Sequence, residues 1–108
     1  MPNGYDKNWV RTCAAIEGFY QRYGHWPKRL LIPDYGLRDL EELVFKPESM
    51  VKIRRRLQLI ESEVLFGAED DHGNSYVYGD EGFPDKPPRV SAEEWLGVSP
   101  DRPSNHYY

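Results

Sequence analysis

Residues 68–83, AEDDHGNSYVYGDEGF, set Glu69, Asp70, Asp71 and His72 side by side and follow them with Tyr76 and Tyr78. Carboxylates and an imidazole at this density could bind a metal or move protons. The order of the residues nevertheless reads as a turn. With Asp70 opening a type I turn and Asp71 and His72 at its centre, Gly73 falls where a left-handed residue is wanted beside a bulge. A divalent cation needs several ligands wrapped around one point, yet the D-x-[DN]-x-[DN]-G loop is absent and no second histidine stands at metal-ligand spacing. The stretch is assigned to a hairpin turn, and neither a metal nor a cofactor is expected.

The densest positive cluster is Lys52, Arg54, Arg55 and Arg56. On a helix, Lys52, Arg55 and Arg56 share a solvent face opposite Met50, Ile53 and Leu57, so their cations could meet a phosphate or an acidic partner. Cations at a helix C-terminus also complement the macrodipole, by ~0.3–1 kcal/mol each. No Gly-rich phosphate loop or helix-turn-helix signature accompanies the cluster, so dipole complementation is the simpler assignment and phosphate or nucleic-acid binding the alternative.

Other reactive side chains carry less. Cys13 lies on one helical stripe with Trp9 and Ile16, where a buried thiol has no reason to ionise, so it reads as a packing residue. His25 and Trp26 follow that helix in a loop, where the imidazole can cap carbonyls and the indole can close the core edge. His25 lacks a recognisable catalytic partner. Glu41, Glu42, Glu61 and Glu63 read as solvated positions rather than a paired-carboxylate site. Trp95 and Leu96 are more suggestive, because an indole on a minimal helix after a proline-rich connector must bury itself on its own domain or in a partner's groove. Docking on its own domain is the expectation, since one helical turn is unstable without packing.

Several short elements must position these groups. Trp9, Cys13, Ile16, Tyr20 and Tyr23 recur at steps of three and four, widened by Val10 and Phe19, which predicts a helix from about Asp6 to Tyr23. Gly24 caps it, and Trp26-Pro27 stops it. Arg29 to Ile32 reads as a short strand, edge-like because Pro27 and Pro33 bracket it. Leu37, Leu40, Leu43 and Val44 make the stripe of a second helix, and Pro47 opens a third that turns Met50, Ile53 and Leu57 inward. Leu57 to Ile60, Val64 to Phe66 and Tyr76 to Tyr78 supply three extended runs. Asp80 to Arg89 reads as a Pro-rich connector. Ser91 and Glu94 match the capping box of a short helix from Ala92 to Leu96, ended by Gly97 and followed by a tail from Pro100 to Tyr108.

At 108 residues the chain suits one domain, here a core of residues 1–79 followed by connector, capped helix and tail over 80–108, docked on the core. Charged residues make up 30 %, mean hydropathy is −0.78, and no apolar run approaches the roughly 18 residues of a spanning helix. A soluble protein with no membrane contact is expected. The first ten residues lack the apolar segment of a secretory signal and Cys13 stands alone, both of which favour the cytoplasm. The net charge of −4 conceals an asymmetry: 11 Lys and Arg face 9 Asp and Glu up to Gly67, against 3 and 9 beyond it. With a pI near 5.3, nonspecific coating of nucleic acid is not expected.

The expected fold is one small α+β domain in the order α-β-α-α-β-β-β, its helices on one face of a mainly antiparallel sheet, with an extended C-terminal segment carrying the short helix. Trp9, Ile16, Phe19, Leu37, Leu40, Val44, Ile53, Leu57, Phe66 and Val77 are the expected core. The leading functional expectation is a non-enzymatic binding or adaptor protein. Its acidic, aromatic hairpin and tail would contact another protein, one variant being a partner with a basic surface. Tyr76, Tyr78, Trp95 and Leu96 are the candidate contacts. Nucleic-acid or phosphate binding through the basic helix of residues 47–56 is the alternative, with Lys52, Arg55 and Arg56 as its candidates. A small hydrolase using His25 or His72 ranks third.

Overall fold

The computed structural model describes residues 7–63, 65–79 and 91–98. Among these residues it shows a single α+β domain with four α-helices, one π-helical turn and a four-stranded mixed sheet. Helix α1 (Lys7–Tyr23) is followed by β1 (Arg29–Pro33), α2 (Asp34–Asp39) running into a π-helical turn (Leu40–Val44), and α3 (Pro47–Arg56). Then come β2 (Gln58–Ser62), β3 (Gly67–Glu69), β4 (Ser75–Val77) and α4 (Ala92–Leu96). The connector and tail expected over 80–89 and 100–108 lie outside the described residues. Among the described residues no helix is long and apolar enough to cross a membrane.

The strand order is β2-β1-β3-β4, with β1 parallel to β2 and both other pairings antiparallel. The edge position expected for β1 is therefore corrected: it is an interior strand. Its prolines stand at its ends and leave the intervening N–H groups free, and pairing starts at once with the Lys28 N–H donating to the Glu69 carbonyl at 2.9 Å. A second correction moves the third strand from 64–66 to 67–69. Leu65 and Phe66 precede this strand, Leu65 44 % exposed and Phe66 buried in the main cluster, while Val64 lies outside the described residues.

Strand alternation places Leu59, Leu30, Ala68 and Tyr76 in one row across the sheet. Helix α1 lies over this row. Its Phe19 packs with Ala68 and Tyr76, and Trp9 and Ile16 join Leu30, Ile32, Leu40, Ile53, Leu57 and Phe66 in the larger cluster. Gly18 permits the approach, because a Cβ there would stand 2.3 Å from the Tyr76 ring. Leu37 and Val77, both expected in the core, are only half-buried; Val77 lies in the neighbouring row with Ile60, Leu31 and Gly67.

Helix α4 packs on this body. Isolated helices shorter than ~12–15 residues are marginal in water, so its five residues need help. Ser91 and Glu94 form a reciprocal capping box, and Gly97 ends the helix at φ +77°. Helix α1 contributes two further bonds: the Trp9 Nε1–H donates to Glu93 Oε2 at 2.7 Å, and Glu17 Oε2 accepts from the Ala92 N–H at 2.9 Å. Ala92, Leu96 and Val98 are buried in the main cluster, and a fully buried leucine alone contributes about 1.5–3 kcal/mol.

Candidate functional site

Two of the sequence candidates, the cations of α3 and the Trp95-Leu96 pair, meet in one cleft. Arg29 pairs with Gln58 in the parallel register, so Lys28, just before β1, lies level with Leu57, the residue that follows α3. The Gln58 N–H donates to the Lys28 carbonyl at 3.0 Å and fixes that juxtaposition. Lys28 thereby joins Lys52, Arg55 and Arg56, whose spacing on α3 puts them on one face. Helix α4 supplies the remaining wall. The resulting cleft of about 650 Å³ is lined by Trp26, Pro27, Lys28, Lys52, Arg55, Arg56, Trp95 and Leu96.

The aromatic part of the wall is a stack. The Trp26 and Trp95 rings lie 4.8 Å apart and 9° from parallel, and Tyr20 packs on Trp26 with a centroid distance of 4.2 Å. The Arg56 guanidinium sits 5.7 Å from the Trp95 centroid. Such cation–π contacts contribute about 0.5–1 kcal/mol at exposed sites. Lys52 Nζ reaches the Gly97 carbonyl at 3.4 Å, so α4 is held from two residues of α3.

Four cations and no carboxylate line the cleft, and among the described residues none of the four is ion-paired. Their neighbour Arg54 points elsewhere and binds Glu41 Oε2 at 2.7 Å. Positive charge is thus concentrated at this cleft in a chain of net charge −4, and its guanidinium and ammonium groups supply directional N–H donors.

The hairpin turn is arranged differently. Gly73 adopts φ +86°, and Asp70 is 3 % exposed with both carboxylate oxygens occupied. Oδ1 accepts from the backbone N–H groups of His72 and Asn74, at 2.8 and 3.0 Å. Oδ2 accepts from Asn74 Nδ2 at 2.9 Å and faces His25 Nε2 at 2.7 Å. Burial by itself would push this carboxyl up; the donors from His25, Asn74 and His72 outweigh it and hold it well below the usual carboxylate range. Among the described residues no cluster of three or more His, Cys, Asp and Glu could hold a metal ion.

The other acids of the turn are neutralised locally. Arg29 donates through Nε to Glu69 at 2.8 Å and through Nη1 to Asp71 at 2.5 Å, and its Nη2 bonds the Asp70 carbonyl. His25 Nδ1 faces the Tyr23 carbonyl at 3.2 Å, so both of its ring nitrogens are engaged within the protein. His72 is exposed on the turn. Tyr76 is 5 % exposed, inside the core, and Tyr78 is half-buried against the main cluster. Cys13 is partly buried, and desolvation, reinforced by Glu17 and Glu93, pushes its thiol up and keeps it un-ionised.

No family model, curated protein or solved structure matches this chain.

Trp26, Pro27 and Lys28 are the cleft residues that the sequence pattern does not mark as candidate site residues. They lie in a loop far along the chain from α3, and only the parallel register brings them to it. The rigid Trp26-Pro27-Lys28 unit, an aromatic and a cation on either side of a fixed φ, is the one local signal that marks them.

Proposed function

We propose that this protein is a non-enzymatic binding protein that takes an anionic ligand in the cleft between α3, α4 and the start of β1. The observation that carries the reading is the convergence of Lys28, Lys52, Arg55 and Arg56 around one cavity beside the Trp26–Trp95 stack. Its volume lies within the roughly 300–1,000 Å³ of ligand pockets. Cations placed only to complement the α3 dipole would not require Lys28, which belongs to another element.

An acidic hairpin that recruits a protein partner has less support. Asp70 is consumed by its own turn, Glu69 and Asp71 are paired with Arg29, and Tyr76 is inside the core. Trp95 and Leu96 keep a binding role in this proposal, as walls of the cleft. A direct test is retention of the full chain on immobilised heparin at low salt. Retention that weakens steeply as salt rises supports the cleft, and passage through the column at low salt contradicts it.

A further inference from the structure

The proposed anion site has a charge density that selects among anions. We infer that it takes two or more closely spaced phosphate groups of one compact ligand; the inference rests on the anion-binding reading above. A phosphomonoester carries about −1.5 to −2 charges and three strong acceptor oxygens, so two of them offset most or all of the charge of the four cations. Carboxylates would need about four separate groups for the same charge, each offering two acceptor oxygens in one plane where a phosphate offers three in a tetrahedral array.

The donors fit that assignment. Arg55 and Arg56 present planar forks that bind phosphate bidentately, while Lys28 and Lys52 act as compact point charges. The aromatic rings do not act as a platform for an incoming base. Trp26 is packed between Tyr20 at 4.2 Å and Trp95 at 4.8 Å, and Arg56 lies over Trp95, so the indoles stack on protein groups. The ligand is thus held through its phosphates, and a nucleoside or sugar attached to them faces outward.

The experiment is calorimetric titration of the full chain, in dilute buffer without phosphate, with four probes. These are inorganic triphosphate, a nucleoside triphosphate, a polyglutamate peptide of matched charge and a short single-stranded oligouridylate. Both triphosphates should bind alike and at least about tenfold more tightly than polyglutamate, a gap of about 1.4 kcal/mol. Arg55→Gln and, in the loop before β1, Lys28→Gln should each weaken triphosphate binding about tenfold while leaving the circular dichroism spectrum unchanged. A nucleoside triphosphate that binds alone, without inorganic triphosphate, would overturn recognition through phosphate only. Equal or tighter binding of polyglutamate would overturn the phosphate assignment and leave the anion site standing. Oligouridylate binding more tightly than triphosphate would overturn the compact ligand in favour of a nucleic-acid strand. Absence of binding by all four probes, judged by heat at two temperatures and by equilibrium dialysis, would remove the anion site itself.

Discussion

Trp26 and Trp95 stack in parallel, 4.8 Å between ring centroids, although one follows α1 and the other belongs to α4. Their contact joins α4 to the loop before β1 and forms a wall of the basic cleft. One interaction therefore serves the stability of a five-residue helix and the shape of the proposed ligand site.

Removing this contact should be visible in stability. Trp95→Ala is expected to destabilise the protein by about 2–3 kcal/mol, below the ~3–5 kcal/mol for fully buried aromatics, because Trp95 is only partly buried. Trp95→Phe, which retains a stacking ring, should lose less than half as much. Urea denaturation of the three proteins checks the order. A Trp95→Ala midpoint equal to the wild type would show that α4 gains nothing from the stack.

The approach of α1 to the sheet supplies a second expectation. A methyl group at Gly18 would meet the Tyr76 ring at 2.3 Å, a distance real packing does not tolerate. Gly18→Ala should cost about 1–3 kcal/mol despite the better helix propensity of alanine. Adding Tyr76→Leu to Gly18→Ala should cost less than the sum of the two single changes, a coupling readable in a double-mutant cycle. Additive losses would mean that the two residues do not meet.

The Asp70 turn predicts a pH dependence with a definite sign. The folded carboxyl is more acidic than its ordinary value of 3.8, so its contribution is fully present above that value. It is lost as pH falls from about 3.8 through the depressed folded value. Asp70→Asn should lower the melting temperature at neutral pH, and the two melting curves should converge as the solution is acidified. A difference that stays constant from neutral to acidic pH would contradict this account of the turn.

The turn, α1, the capping box of α4 and the α+β order were all legible because each rests on local chemistry. Gly73 beside Asp70, the three- and four-residue steps from Trp9 to Phe19, and Ser91 with Glu94 are short-range signals. The interior position of β1 was not legible, since bracketing prolines look alike at a sheet edge and at the ends of a central strand. The cleft was legible only in halves. Spacing grouped Lys52, Arg55 and Arg56, and residue type drew attention to Trp95, but joining them to Lys28 and Trp26 depends on a parallel register with no linear signature. Tyr76 shows the converse limit, because the period of two in a strand says that it faces opposite to Val77 without saying which face is covered.

The most direct test of the account compares charge reversal at two neighbouring arginines. Arg55 lines the cleft, whereas Arg54 points to Glu41, so Arg54→Glu makes the same change in net charge outside the site. Titrated with inorganic triphosphate, the Arg54→Glu protein should bind within about twofold of the wild type, and Arg55→Glu should lose about two orders of magnitude, with the fold of both intact. Equal losses in the two variants would show that overall charge, and not this cleft, governs anion binding.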